Sequence, residues 1–169
     1  MNKTVKILLG TGAATVLVAG VVHVVKTSNT ADKIDVDFEN YSLTPKSLKG
    51  LGKFSIPQVV IFKTDAIINN PTHDDLVISK PYLKVFYNGK QVGNSTASEE
   101  TINLKANGVS TIKDLEVEFR ALNLLTSVPD FLLYLFARLK GAKPAKKIQI
   151  QMLVDANGIA TTQTKEILI

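Results

Sequence analysis

His73, Asp74 and Asp75 stand together in the stretch NNPTHDDL, an imidazole followed by two carboxylates. Such groups hold divalent metals or exchange protons near neutral pH. Their spacing argues against both uses. Adjacent side chains on a turning chain diverge, whereas one ion or one substrate needs groups that converge from separate elements. The triplet follows Asn70-Pro71, so it reads as a solvated turn beside a corner. There Asn bonds nearby backbone and Pro fixes the bend, a structural and not a catalytic role. Glu99-Glu100 and Glu116/Glu118 read as ordinary charges on the wet face of strands. The chain has no cysteine, which removes disulfides, thiolate nucleophiles and cysteine metal sites. It has no glycine-rich phosphate cradle. The residues therefore point to no enzyme chemistry, no metal and no cofactor.

The more suggestive chemistry is that of a surface. Phe131, Leu132, Leu135 and Phe136 belong to an apolar run that passes into Arg138, Lys140, Lys143, Lys146 and Lys147. Apolar side chains beside a basic cluster suit contact with an anionic membrane or an acidic partner. They equally suit a helix packed on a sheet, with its lysines at the C-terminal dipole and in a wet loop. Both readings stand at this level. The formal net charge is +5. Setting aside Lys3, Lys6 and Lys26 leaves 17 basic and 15 acidic residues, without the coherent basic stripe of a nucleic-acid binder. No nucleic acid is expected as a partner.

The elements that must position these residues are mostly strands. In residues 59–68 the alternate positions Val60, Phe62, Thr64, Ala66 and Ile68 oppose Lys63 and Asp65. Leu83, Val85 and Tyr87 share a face, and Asn88-Gly89 after them is a strong hairpin signal because both residues accept positive φ. Ile34, Val36 and Phe38 form a first strand, and residues 41–55, with Pro45, Gly50 and Gly52, read as a loop. In residues 109–119, Leu115, Val117 and Phe119 face inward. Ile112 is out of phase with them, which predicts a bulge or change of sheet near Lys113. Ile148, Ile150, Met152 and Val154 alternate before a second hairpin at Asn157-Gly158. Within residues 121–140 the pattern changes: Pro129 and Asp130 suit the first turn of a helix that Gly141 and Pro144 end. Roughly seven strands and one helix predict a mainly β fold. The expected form is an antiparallel immunoglobulin/fibronectin-III-like β-sandwich with one helix inserted before the C-terminal hairpin.

Ahead of this domain, the run from Ile7 through Leu17 to Val25 carries no formal charge apart from a protonated His23. As a helix it would span about 28 Å, close to a hydrocarbon core. It reads as a single transmembrane helix, so the chain divides into an anchor at 1–26, a linker at 27–32 and a domain at 33–169. Lys3 and Lys6 before the span predict a cytoplasmic N-terminus and an exported domain on the periplasmic or extracellular side. The alternative is a signal peptide cleaved near Val18-Ala19-Gly20, giving a secreted protein. The apolar run continues past that point, which favours the anchor.

A strand ending in Asn70-Pro71-Thr72, an apolar segment, and then Tyr82-Leu83-Lys84-Val85-Phe86-Tyr87-Asn88-Gly89-Lys90-Gln91-Val92-Gly93 together resemble the group-2 late embryogenesis abundant family. That family includes the water-stress and hypersensitive-response type domain. Thr72 stands where the stricter pattern has a second Asn. The resemblance runs over residues 33–169. It implies the same β-sandwich fold, a protective role in stress response and, in some members, binding of apolar or lipid molecules. The expectation is a non-enzymatic, membrane-anchored β-sandwich acting as a structural, protective or binding module at a membrane face. One alternative is a lipid- or apolar-ligand-binding module with a cavity lined by Phe131, Leu132, Leu135 and Phe136. Another is a structural component of a membrane-associated assembly, a cell envelope or membrane-containing virion, linking the bilayer to a protein layer. The lipid bilayer is the expected partner of the anchor, and a protein partner or a homo-oligomer is the candidate contact of the domain.

Overall fold

The period-two runs form antiparallel strands in the computed structural model, which describes residues 34–51, 54–156 and 159–169. In chain order the described residues form β1 (Asp35–Leu51), β2 (Phe54–Asn70), β3 (Leu76–Ser79), β4 (Tyr82–Tyr87), β5 (Lys90–Ser95), β6 (Thr101–Leu104) and β7 (Gly108–Arg120), then α1 (Ala121–Ser127), α2 (Pro129–Leu139), β8 (Lys147–Ala156) and β9 (Ile159–Leu168). The strands join in the order β1-β2-β7-β5-β4-β8-β3-β6, and β9 also pairs with β8. The sheet curls until its first strand nears its last: Lys165 Nζ lies 3.7 Å from Asp37 Oδ1. Phe62, Ile68, Leu83, Phe119, Ile150 and Met152 are fully buried inside the curl. Burial of each such side chain contributes about 1.5–3 kcal/mol.

Three expectations are corrected. There are two helices, not one, among the described residues. Pro129 disfavours helical backbone at the residue before it, and Val128 takes φ −149°, ψ 68°, which splits α1 from α2. Residues 41–55 are not a loop. Most of them lie in β1 and β2, which pair continuously from Ser42↔Lys63 to Leu51↔Phe54 apart from positions left open by the pattern. Pro45 is tolerated because β1 is an edge strand with a partner on one side only. The described strands number nine, because β3, β5 and β6 are separate short pieces.

The irregularity expected near Lys113 is present. Ile112 and Leu115 are both buried, and between them Asp114 adopts φ 54°. A matching irregularity in β1 lies between Glu39 and Ser42, with Asn40 at φ 56°. Asp65 on the intervening β2 ties both: its Oδ1 accepts the Asp114 N–H at 2.9 Å, and its Oδ2 accepts Asn40 Nδ2 at 2.8 Å. The anchor residues Ile7, Leu17 and Val25, the linker 27–32 and the Asn157-Gly158 turn lie outside the described residues. No helix among the described residues is long and apolar enough to cross a membrane.

Register gives the domain two ends. Lys46 is level with Val59, and Val59 with Arg120, where α1 begins. Asp35 is level with Asn69, and Asn70 with Gly108. The helices therefore lie at one end. Ile34 and the Asn70-Pro71 corner lie at the other, on the order of 35 Å away along β1.

Candidate functional site

At the helix end three polar side chains converge. Tyr87 closes β4, just before the Asn88-Gly89 turn, whose residues take φ 49° and 74° as an Asn-Gly hairpin requires. Asp130 sits in the first turn of α2, after Pro129, where a carboxylate faces the positive end of the helix dipole. Lys146 leads into β8, held by a pair of 2.9 Å backbone hydrogen bonds with Ile169. The Tyr87 hydroxyl donates to Asp130 Oδ2 at 2.6 Å. Lys146 Nζ donates to the same oxygen at 2.9 Å and to the Tyr87 hydroxyl at 2.6 Å, and stands 4.8 Å from the centre of the Tyr87 ring. The Tyr87 bond and the Lys146 ammonium hold the Asp130 carboxyl below the usual carboxylate range. In return, Tyr87 and Asp130 hold the Lys146 ammonium above its ordinary value.

A tyrosine between an ammonium and a carboxylate resembles acid–base machinery. Here each member bonds the others. The Tyr87 ring stacks on Phe131 with centroids 5.0 Å apart, and Phe131 meets Phe119 edge-on at 5.4 Å. The cluster thus fastens the start of α2 to two strands over the core. Beside it, the Tyr134 hydroxyl is buried with no hydrogen-bond partner. Burial pushes its phenol upward, against the opposing pull of Arg138 and Lys146.

A cleft opens next to this cluster. β5 and β7 pair only at Asn94↔Glu118 and Ser95↔Val117, and α1 covers the gap where they part. The cleft is about 270 Å³ and is lined by Gln91, Gly93, Asn94, Glu118, Arg120 and Asn123 among others. Gly93 makes this approach possible. A Cβ there would lie 2.5 Å from Phe119 Cδ1 and 2.7 Å from the Glu118 carbonyl oxygen. Glu118 is engaged by Lys46 at 3.0 Å and by Arg120 at 3.8 Å.

Residues singled out by the sequence fall in different places. Asn70 is wholly buried at the opposite end. Its Nδ2 donates to the carbonyls of Asp74 at 3.0 Å and Lys105 at 3.1 Å, and its Oδ1 accepts the Thr72 hydroxyl at 2.7 Å. It therefore pins the corner after Pro71 to the turn that precedes β7. The acidic triplet there disperses. His73 Nδ1 meets Asn107 Nδ2 at 3.2 Å, while Asp75 takes Lys105 at 2.8 Å and the Ala106 N–H at 2.8 Å. Among the described residues no group of three or more His, Asp or Glu is placed to hold a metal ion.

Phe131, Leu132 and Leu135 lie inside the core, and Phe136 packs partly against it, so the first three are not an exposed apolar face. Packing against the sheet outcompetes exposure because it removes the most apolar area from water. Lys140, Lys143 and Lys147 are exposed, Arg138 is half-exposed, and Lys146 is drawn into the Tyr87 cluster. Sequence reasoning missed Tyr87 and Asp130 as partners. The available signals were an acid in a helix first turn and a tyrosine at a hairpin mouth, neither of which indicates the other.

No family model matches the chain, and no curated protein matches it. Similar solved structures include a crystal structure of an Archaeoglobus fulgidus protein, 10% identical over 79% of this chain and 94% of that one, with a TM-score of 0.45. A solution structure of an Arabidopsis thaliana protein is 18% identical over 82% of this chain and 87% of that one, with a TM-score of 0.40. A solution structure described as a late embryogenesis abundant protein is 12% identical over 92% of this chain and 88% of that one, with a TM-score of 0.30.

Proposed function

We propose that this chain is a non-enzymatic module of the group-2 late embryogenesis abundant type. Its curled sheet is read as an immunoglobulin/fibronectin-III-like sandwich, tethered to a membrane by residues 7–25 and exported beyond it. Its work is structural, protective or binding, and it is done by the end of the domain remote from the tether. The observation that carries this reading is the opposition of the two ends. Ile34, where the tether would enter, lies beside the Asn70 corner, and the helices lie at the other end of the strands. A domain built this way holds its helices away from the point of attachment. The alternative of a module enclosing an apolar ligand needs Phe131, Leu132, Leu135 and Phe136 to line a cavity. Phe131 is packed between Tyr87 and Phe119, and Leu132 and Leu135 are buried in the core, which weighs against it.

The test is membrane fractionation followed by mass measurement of the mature protein. An intact chain of 18.4 kDa released only by detergent supports the tether. A soluble species lacking roughly the first 20 residues, as after signal removal, overturns it.

A further inference from the structure

Both ends of the domain carry charges of both signs, and they differ in how many cations are left unpaired. The helix end carries Lys90, Arg120, Arg138, Lys140, Lys143 and Lys147. Some of these are paired: Lys147 with Glu166 and Arg120 with Glu118, while Lys46 also takes Glu118 and Lys146 takes Asp130. The end with Ile34 carries Asp35, Asp37, Asp74, Asp75 and Asp155, with Lys165 on Asp37 at 3.7 Å and Lys105 on Asp75 at 2.8 Å. Among the described residues, Arg138, Lys140 and Lys143 have no carboxylate within ion-pair distance, so their charge is available to an outside partner.

Exposed leucines occur at the same end. Leu122 is 75% exposed, Leu125 58% and Leu133 68%. Leu122 and Leu125 are three apart and share one side of α1. Leu133 lies on α2 opposite the buried Phe131 and Leu135, and Lys140 follows at the end of the helix. These side chains stand out from helices and are not among the residues lining the adjoining cleft. The adjoining cleft is lined largely by polar residues, including Gln91, Asn94 and Asn123. A peptide partner docks by filling an apolar concavity, whereas projecting leucines among unpaired cations match the boundary between lipid headgroups and acyl chains.

We infer that the helix end docks on a membrane surface rich in anionic lipid, with leucines entering the headgroup boundary and cations meeting phosphates and carboxylates. The docking itself needs no tether. Which membrane it reaches does rest on the tether proposed above: a domain attached through its Ile34 end turns its helix end toward a second, apposed bilayer.

The test reconstitutes the full chain into phosphatidylcholine donor vesicles and measures capture of labelled acceptor vesicles by flotation. The acceptors are phosphatidylcholine alone or with phosphatidylserine. Capture of the phosphatidylserine acceptors, weakened by salt, is expected. The pair Lys140→Glu with Lys143→Glu is expected to lower capture by about tenfold or more, each lysine near an anionic surface contributing on the order of 1 kcal/mol. Leu122→Ser with Leu133→Ser, at exposed positions that leave the core intact, is expected to lower it as well. Equal capture of both acceptors overturns the inference. So does a leucine variant that captures normally while polyglutamate-coated beads bind the chain as well as phosphatidylserine does, which identifies an acidic protein as the partner. So does a stable dimer by light scattering whose formation the leucine variant abolishes while vesicle capture persists. If the chain does not stay with the donor vesicles, the tether fails, and cosedimentation of the soluble chain with the same acceptors then decides the docking alone.

Discussion

At the scale of single residues, Asn70 and the Tyr87 cluster carry the clearest consequences. Asn70 is sealed from water and satisfies several backbone groups that the corner would otherwise leave unpaired. Asn70→Ala is expected to cost about 1–3 kcal/mol in urea unfolding. Asn70→Asp is expected to cost more at neutral pH, because a carboxylate would face the carbonyls of Asp74 and Lys105, and the deficit should narrow in acid. The Asp130 carboxyl is depressed by Tyr87 and Lys146, so its contribution to stability is full above the ordinary carboxylate pKa and is lost as pH falls through the lower folded value. Lys146 is raised by the same partners, so its contribution is full below the ordinary lysine pKa and is lost as pH rises through the higher folded value. Thermal melts of wild type and Asp130→Asn should therefore differ across the neutral range, converge at strongly acidic pH, and differ less at strongly alkaline pH, where the Lys146 share is lost. Gly93→Ala should cost about 1–3 kcal/mol by overpacking, since part of what its Cβ meets is backbone that cannot swing aside.

At the scale of elements, the strands were legible and the helical region only partly so. Alternation reported the inward faces of β2, β4, β7 and β8 because a strand's side chains reverse at every residue, a property confined to the strand. The out-of-phase Ile112 announced the irregularity at Asp114 for the same reason. The hairpin of β1 and β2 was missed because glycine and proline at 45–52 argue for a turn, and only pairing along a long neighbour makes the segment extended. The α1–α2 break was marked by Pro129, but α1 itself has no cap signal: its N-cap is Arg120, without a side-chain bond. The apolar run of α2 could not declare which residues were buried, because it is apolar on most sides. Packing chose Phe131, Leu132, Tyr134 and Leu135. Phe131→Ala is expected to cost about 3–5 kcal/mol and Leu135→Ala about 2–5 kcal/mol. Leu133→Ser should fall within about 0.5 kcal/mol of wild type. Equilibrium denaturation of the three variants reads the buried face directly.

At the scale of the molecule, the gathering of unpaired cations at the helix end is the property most tied to the proposed role. Attachment through an apolar span and docking through lysines respond differently to salt, because screening weakens charge contacts and leaves apolar burial intact. Raising salt is therefore expected to release acceptor vesicles while the chain remains with its donor membrane, which flotation at two ionic strengths measures. Of the candidate site, the basic residues from Arg138 to Lys147 were visible in the sequence, but their surroundings were not. The sequence by itself determined what depends on near neighbours: the strand periods, the Asn88-Gly89 turn, the Asn70-Pro71 corner and the start of α2 at Pro129. Only the tertiary structure decided what depends on distant residues meeting. Tyr87 and Asp130 are 43 residues apart, and Asp130 and Lys146 are 16 apart. The two ends come into being only when the register of β1, β2 and β7 lays Lys46 beside Val59 and Val59 beside Arg120. Local preferences act over a few residues, whereas burial and charge sum over the whole fold.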